Sequence, residues 1–222
     1  MREVIHRIKP DVICLQEVQG YHDRHKSHFP DRLNFCQMKF LAEGLWPHFA
    51  YGKNAVYPAG HHGNAILSRY PILSWENQDI SWNEVERRGL LHALIRVPDH
   101  KEPLHVVSTH LGLFETDRKK QAQTLCSRIE SMVPDSHPLL IAGDFNDWRQ
   151  RTTTLLKQRV GLNEAFLTYQ GSHAATFPAW LPVLKLDRVY FRGLNLKKAA
   201  CLKGAPWNRM SDHLALLSEF TL

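Results

Sequence analysis

Leu139-Leu140-Ile141-Ala142-Gly143-Asp144-Phe145-Asn146-Asp147 is the stretch that decides how this chain is read. Four apolar residues in succession predict a short buried strand, and polar residues arrive as soon as it ends. A carboxylate beside a buried strand is unfavourable unless it is hydrogen-bonded, ion-paired or bound to a cation. The same layout recurs through the chain. Val12-Ile13-Cys14-Leu15 predicts a strand whose end delivers Gln16 and Glu17, and Leu104 to Ser108 leads to His110. Asp187 lies in Leu186-Asp187-Arg188-Val189-Tyr190-Phe191, and Ser211-Asp212-His213 precedes a final strand from Leu214 to Phe220.

Working outward, Val4, Ile5 and Ile8 predict an opening helix that Pro10 ends. Residues 31–45 read as helical from Asp31, with Leu33, Cys36, Phe40 and Leu41 on or near one face. Short strands follow at Ala65-Ile66-Leu67, Ile72 to Trp75 and Leu90 to Val97. From Glu115 to Val133 the apolar residues take helical spacing, Glu115 and Asp117 suit the positive end of the helix dipole, and Pro134 closes the segment. No repeat or linker divides the chain, so one domain spanning residues 1–222 is expected. The mixture of elements predicts an α/β sandwich of two sheets flanked by helices.

Composition excludes some classes and leaves others open. The chain has 222 residues, 43% hydrophobic, and a formal net charge of +6, enough for one sizeable core without disulfides. It has no run of 18 uncharged apolar residues, and its first ten residues carry Arg2, Glu3, His6, Arg7 and Lys9. That pattern is neither a membrane span nor a secretory signal, and a cytoplasmic location is expected. The basic residues are scattered, and short clusters such as Arg118, Lys119 and Lys120 read as solvated faces. The 14 histidines lack zinc-type spacing, and Cys14, Cys36, Cys126 and Cys201 stand far apart, as reduced thiols do.

Glu17, His110, Asp144, Asn146, Asp187, Asp212 and His213 come from five separate segments. Taken singly, Asp144 and Asn146 read as an Asx turn and Ser211-Asp212 as the start of a turn. The set is not explained that way. Carboxylates and an amide oxygen without cysteine are hard ligands that select Mg²⁺ or Mn²⁺, and histidines exchange protons near neutral pH. With no nucleophilic serine or cysteine motif, this combination indicates attack of water on a phosphate ester, with the cation polarising a phosphoryl oxygen.

Six stretches carry a resemblance: Asp11 to Val18, Gly63 to Ile72, Ser108-Thr109-His110-Leu111, Gly143 to Asp147, Leu186 to Val189 and Ser211-Asp212-His213. In this order they resemble the endonuclease/exonuclease/phosphatase superfamily, which includes DNase I-like and sphingomyelinase-like enzymes. Ala50-Tyr51-Gly52 to Asn64 and Asp147 to Gln150 resemble its bacterial YbhP-like group. The resemblance implies a four-layer DNase I-like fold and a divalent-metal-dependent phosphodiesterase. It implies Glu17 as principal metal ligand, with Asp212 contributing to the metal site or its hydration shell. Asp144 and Asn146 would hold the attacking water and a phosphate oxygen. His213 would be the general base, oriented by Asp187, and His110 would assist the leaving group or the pentavalent phosphate. Arg88 is a candidate phosphate clamp and equally a surface residue beside Arg87. Asn64 and His62 are candidates for facing the substrate and equally turn formers around Gly63.

The superfamily's first strand, with an Asn that helps position the metal, is expected before the opening helix, whereas Met1 begins in or at that helix. The expectation is therefore a fold lacking its first strand, an N-terminally truncated domain with weak metal binding, reduced stability or association through an edge. Nucleic acid, phospholipid and phosphorylated small molecules all remain as substrates, and no obligate protein partner is evident. Trp75, Trp82, Trp148, Trp180 and Trp207 could stack bases, meet lipid or pack. The apolar loop from Thr176 to Leu184 could touch a membrane or pack normally. The reading from another class is a binding module that keeps the fold without the activity.

Overall fold

The computed structural model describes residues 2–22 and 37–222. The opening helix α1 (Arg2–Ile8) stops before Pro10 and leads into β1 (Val12–His22). The helix expected from Asp31 lies partly outside the described residues. Its described end, α2 (Gln37–Ala42), turns Met38, Leu41 and Ala42 inward. Four strands follow: β2 (His48–Tyr57), β3 (Gly60–Ser68), β4 (Ile72–Asp79) and β5 (Gly89–Ile95). Then β6 (Leu104–His110), α3 (Glu115–Met132) and β7 (Leu139–Asp144) form a βαβ unit. The chain continues through α4 (Arg151–Val160), β8 (Asn163–Glu164), α5 (Ala165–Gln170), β9 (Asp187–Arg192), β10 (Asn195–Cys201) and β11 (Leu216–Thr221).

The two facing sheets expected from the sequence are present. One has the order β1-β3-β2 and the other β4-β5-β6-β7-β9-β8, while β10 and β11 form a separate two-stranded ladder. Among the described residues only β6 and β7 pair in parallel, which the crossover through α3 makes possible. Ala50 and Ile66 from the smaller sheet interlock with Leu91, Ala93, Ile95 and Val106 from the larger one. Trp46, Met38 and Leu41 cover the outer face of the small sheet. Leu125, Ile129, Leu156 and Val160, from α3 and α4, cover the outer face of the large sheet. The layers therefore run helix, sheet, sheet, helix, with each fully buried aliphatic side chain contributing about 1.5–3 kcal/mol. A further cluster, Phe166, Phe191 and Ala199 with Phe220, seats the β10-β11 ladder against α5 and β9.

Cys14, Cys126 and Cys201 are free thiols, and Cys36 lies outside the described residues. Burial pushes the Cys14 thiol up to about 12, against the lowering effect of a hydrogen bond with Ser108. No described helix is long and apolar enough to cross a membrane.

At the opposite end of β6 from His110, three imidazoles form a chain. His92 Nε2 lies 2.9 Å from His105 Nδ1, and His105 Nε2 lies 3.1 Å from His137 Nδ1. His137 Nε2 meets the Glu102 carboxylate at 2.9 Å. A carboxylate can only accept, so the chain is satisfied when every ring is neutral with its proton on Nε2. A second proton on His105 would set two donors face to face. Burial first, then the neighbouring His105 and Arg128, brings His92 down to about 4. Burial, then His137 and Arg192, does the same to His105.

Because these folded-state values lie below the ordinary 6.5, the unfolded chain binds protons that the folded chain refuses as pH falls from 6.5 towards 4. Stability from this pair is therefore present above pH 6.5 and is lost through that window. The thermal midpoint of the parent should fall by several degrees more between pH 7 and 5 than that of a His92→Gln/His105→Gln variant. Equal slopes in a thermal melt series would overturn this.

Candidate active site

The register of the large sheet sets His110 opposite Asp144, and Asp144 opposite Asp187. Three ionisable side chains thus end neighbouring strands at one level. The close approach behind them needs Gly143, where a Cβ would sit 1.9 Å from the Thr109 carbonyl oxygen. Beyond the strand, Asp144 Oδ1 accepts the Asn146 N–H at 2.8 Å, so the Asx turn exists and is part of the cluster. Asn146 takes φ +48°, which is uncommon for a residue with a Cβ. Its Nδ2 donates to Leu111 O at 2.9 Å and lies 3.3 Å from His110 Nε2.

Glu17 enters from the other sheet, and here the sequence reading needs correction. β1 does not end at Gln16 and Glu17; it runs on to His22 through a bulge between Leu15 and Val18. Glu17 takes φ +54° in that bulge. A bulge re-aims a side chain without ending the ladder, and it sets Glu17 Oε1 3.7 Å from His110 Nδ1. Gln16 Nε2 donates to Ser108 Oγ at 3.2 Å, tying the bulge to β6.

His213 arrives on the loop between β10 and β11. Its Nδ1 meets Asp187 Oδ2 at 2.8 Å, and its Nε2 lies 4.0 Å from Asp144 Oδ2. The Phe177 ring packs 4.8 Å from its centroid. Asp212 is exposed; its Oδ1 accepts from Ser211 Oγ at 3.2 Å, and its carbonyl accepts the Ala179 N–H at 2.7 Å. Arg88 is not a surface residue. Its side chain is 11% exposed, Nη2 is 3.5 Å from Glu86 Oε1, and Nε is buried with no hydrogen-bond partner. Asn64 is 1% exposed. Its Nδ2 donates to Gly89 O and Ser108 O, which makes it a buried tie between the sheets.

Charge is unevenly met here. Burial, then the charge of Asp187, pushes Asp144 up to about 7, against the Asn146 N–H, His213 and Arg88. Burial, then Arg88, His213 and His62, brings His110 down to about 3, so it is a neutral imidazole. Burial opposes the charged form of His213. The hydrogen bond and charge of Asp187, with Asp144 and Asp212, outweigh it and push His213 up to about 9.

Glu17, Asp144 and Asp187 supply oxygen atoms only, the donor chemistry of Mg²⁺ or Mn²⁺. A carboxyl raised first by burial and then by a neighbouring carboxylate is one that a bound cation would relieve, so the residues present fit such an ion. Among the described residues, no three His, Cys, Asp or Glu side chains already close into a cage.

A belt of buried polar residues behind this end escaped sequence reasoning. The Glu86 carboxylate accepts the Leu113 N–H. Arg118, expected on a solvated face, is 3% exposed and donates to Gly112 O and Leu113 O. Gln121 Oε1 accepts the Gly112 N–H at 2.8 Å, and Arg188 joins Asp187 O to Asp147 O. These residues hold backbone and sit in ordinary charge runs, so no spacing in the sequence marks them.

The site and fold have relatives. The uncharacterized protein YbhP of Escherichia coli strain K12 is 42% identical over 222 residues, covering 100% of this chain and 87% of that protein. An endonuclease/exonuclease/phosphatase from Beutenbergia cavernae superposes with a TM-score of 0.81 at 20% identity, over 100% of this chain and 65% of that one. A mannosyl-6-phosphatase of Bacteroides thetaiotaomicron gives 0.75 at 15% identity, over 100% of this chain and 89% of that one. The sequence profile of the Endonuclease/Exonuclease/phosphatase family matches residues 1–213, and the chain belongs to that family, whose members are phosphoester hydrolases.

Proposed function

We propose that the cluster hydrolyses a phosphoester by in-line attack of water at phosphorus, with Mg²⁺ or Mn²⁺ as cofactor and a phosphodiester as the principal substrate type. The observation that carries this reading is the orientation of His213. Asp187 takes its Nδ1–H at 2.8 Å, leaving Nε2 directed towards Asp144. Once the Nε2 proton that the surrounding acids favour has left, that tautomer presents a lone pair on Nε2, and the carboxylate stabilises the imidazolium that re-forms when a water proton is taken.

Asp144 and Asn146 hold the water and one phosphate oxygen. Neutral His110, between Glu17, Asp144 and Asn146, stabilises the pentavalent phosphate by donating a hydrogen bond from its ring N–H. The buried guanidinium of Arg88, with an unpartnered Nε, clamps another phosphate oxygen. Glu17 would be the principal holder of the divalent ion, with Asp212 contributing to the ion or its hydration shell and Asp144 and Asp187 supplying acid charge beside it. When bound, that ion polarises the phosphoryl oxygen and offsets charge on the leaving oxygen. The name of the Bacteroides thetaiotaomicron neighbour supports phosphoester chemistry on this fold.

The parent should release p-nitrophenol from bis-p-nitrophenyl phosphate only when Mg²⁺ or Mn²⁺ is supplied. His213→Ala should lower kcat by about 10²–10⁴. No turnover with either metal would leave only a binding module on the same fold, and an unchanged kcat in His213→Ala would remove its role as general base.

Asp187→Asn separates orientation from packing. The amide preserves size but can present N–H to Nδ1 and favour the wrong tautomer, so kcat should drop by about 10² or more while the thermal midpoint stays near that of the parent. Steady-state kinetics beside a thermal melt makes the comparison, and full activity in Asp187→Asn would remove the orienting role.

A further inference from the structure

The mouth of the site is ringed by exposed apolar side chains on four loops that converge on one end of the large sheet. Residues 80–88 contribute Trp82, 52% exposed, and Val85, 89% exposed; residues 111–114 contribute Phe114, 59% exposed; Trp148 follows Asp147. Residues 176–186 carry Trp180, 75% exposed, with Leu181 and Val183 also largely in solvent. Ordinary packing, one expectation for the 176–184 loop, does not account for this.

These side chains are held out by ordered backbone. Leu184 N donates to Phe177 O at 2.8 Å and Thr176 N to Leu184 O at 2.9 Å, closing the 176–184 segment into a tight hairpin. Ala179 N to Asp212 O and Leu214 N to Thr176 O fasten that hairpin directly beside His213. Lys120 Nζ lies 4.4 Å from the Trp82 ring centroid, and the Arg118 guanidinium 4.6 Å from that of Trp148. Exposed Arg87, Lys119, Lys120, Arg149 and Arg151 lie on or next to three of these loops, Arg149 and Arg151 paired with Glu115, and Glu84 and Asp117 lie among them.

We propose that this rim docks the mouth of the site onto an anionic phospholipid surface, so that the phosphoester is presented to the cluster from a bilayer headgroup. The inference rests on the phosphoester-hydrolase reading and names its substrate class. Tryptophan with aliphatic tips and surrounding cations is the composition that settles at the headgroup boundary of an anionic leaflet. A single-stranded nucleic acid needs ring faces along a groove, and Val85, Leu181 and Val183 offer none. A protein seated on the whole rim would seal the mouth, whereas a bilayer brings phosphates to it.

Flotation with phosphatidylcholine vesicles, with and without phosphatidylglycerol, tests the proposal. The parent should float with the mixed vesicles, and Trp180→Ser/Val183→Ser should lower its partition about tenfold or more. Hydrolysis of soluble bis-p-nitrophenyl phosphate and the thermal midpoint should be unchanged in that variant, because both side chains are exposed. Failure of the parent to float, or equal flotation of the variant, overturns the docking. So does binding of a single-stranded oligonucleotide, without vesicle binding, that the variant loses. Flotation without soluble turnover in the parent would instead overturn the hydrolase reading and leave a membrane-docking module.

Discussion

Asp144 and Asp187 sit directly opposite each other on β7 and β9 at the buried end of a sheet, and their repulsion is the constraint on which the rest of the site depends. Strand register forbids escape, since a slip of one residue would turn the side chains to the other face. Gly143, against the Thr109 carbonyl, holds β7 close to β6. The negative charge therefore has to be met locally. His213 meets it on one side, and for that reason its imidazole is pushed up to about 9 despite burial. On the other side stands Glu17, a further carboxylate, with only the neutral His110 between it and Asp144. Arg88 acts on that side from within the protein, and in the proposed reading a divalent cation from solution completes it.

The protein places this demand on rigid elements and its variability on the loops around them. Glu17, Asp144 and Asp187 lie on a strand or at a strand bulge, while Asp212 comes with His213 from the loop between β10 and β11. The loops that surround the mouth are fastened by Glu86, Arg118, Gln121 and Arg188, whose polar atoms engage loop backbone. One consequence is that aromatic and aliphatic tips such as Phe114 and Trp180 can stay in solvent without loosening the cluster beneath. The β10-β11 ladder, which delivers His213, is hydrogen-bonded to neither main sheet among the described residues and depends instead on Phe166, Phe191 and Phe220.

What could be read from the sequence followed from how strongly each segment declares its environment. Val12 to Leu15 and Leu139 to Ala142 are uninterrupted apolar runs, so their strands and the polar residues beyond them were legible. β2, His48 to Tyr57, carries Lys53 and Asn54 and a register shift between Lys53 and Ala55, which breaks any alternation. α4 opens with Thr152, Thr153 and Thr154, poor helix formers; it forms because Leu156 and Val160 pack inward and Asp147 Oδ2 accepts the Thr152 N–H at 2.6 Å. The Glu17 bulge is a backbone property that a residue pattern does not encode. The two readings open for Asn64 and for Arg88 could not be separated for the same reason, because tertiary contacts alone decide which polar side chain is turned inward. The His92-His105-His137 chain joins residues far apart in sequence, and only the pairing of β5 with β6 brings the first two together.

The central claim is that the acid cluster is completed by a divalent cation, and it can be measured without knowing the substrate. Thermal melting at neutral pH with increasing Mg²⁺, for the parent and for Glu17→Gln, addresses it most directly, since Glu17 is largely exposed and its replacement spares the core. A saturable rise in the midpoint of the parent that is much reduced in Glu17→Gln is the predicted result. A parent whose midpoint ignores Mg²⁺, or a rise of equal size in Glu17→Gln, would contradict it.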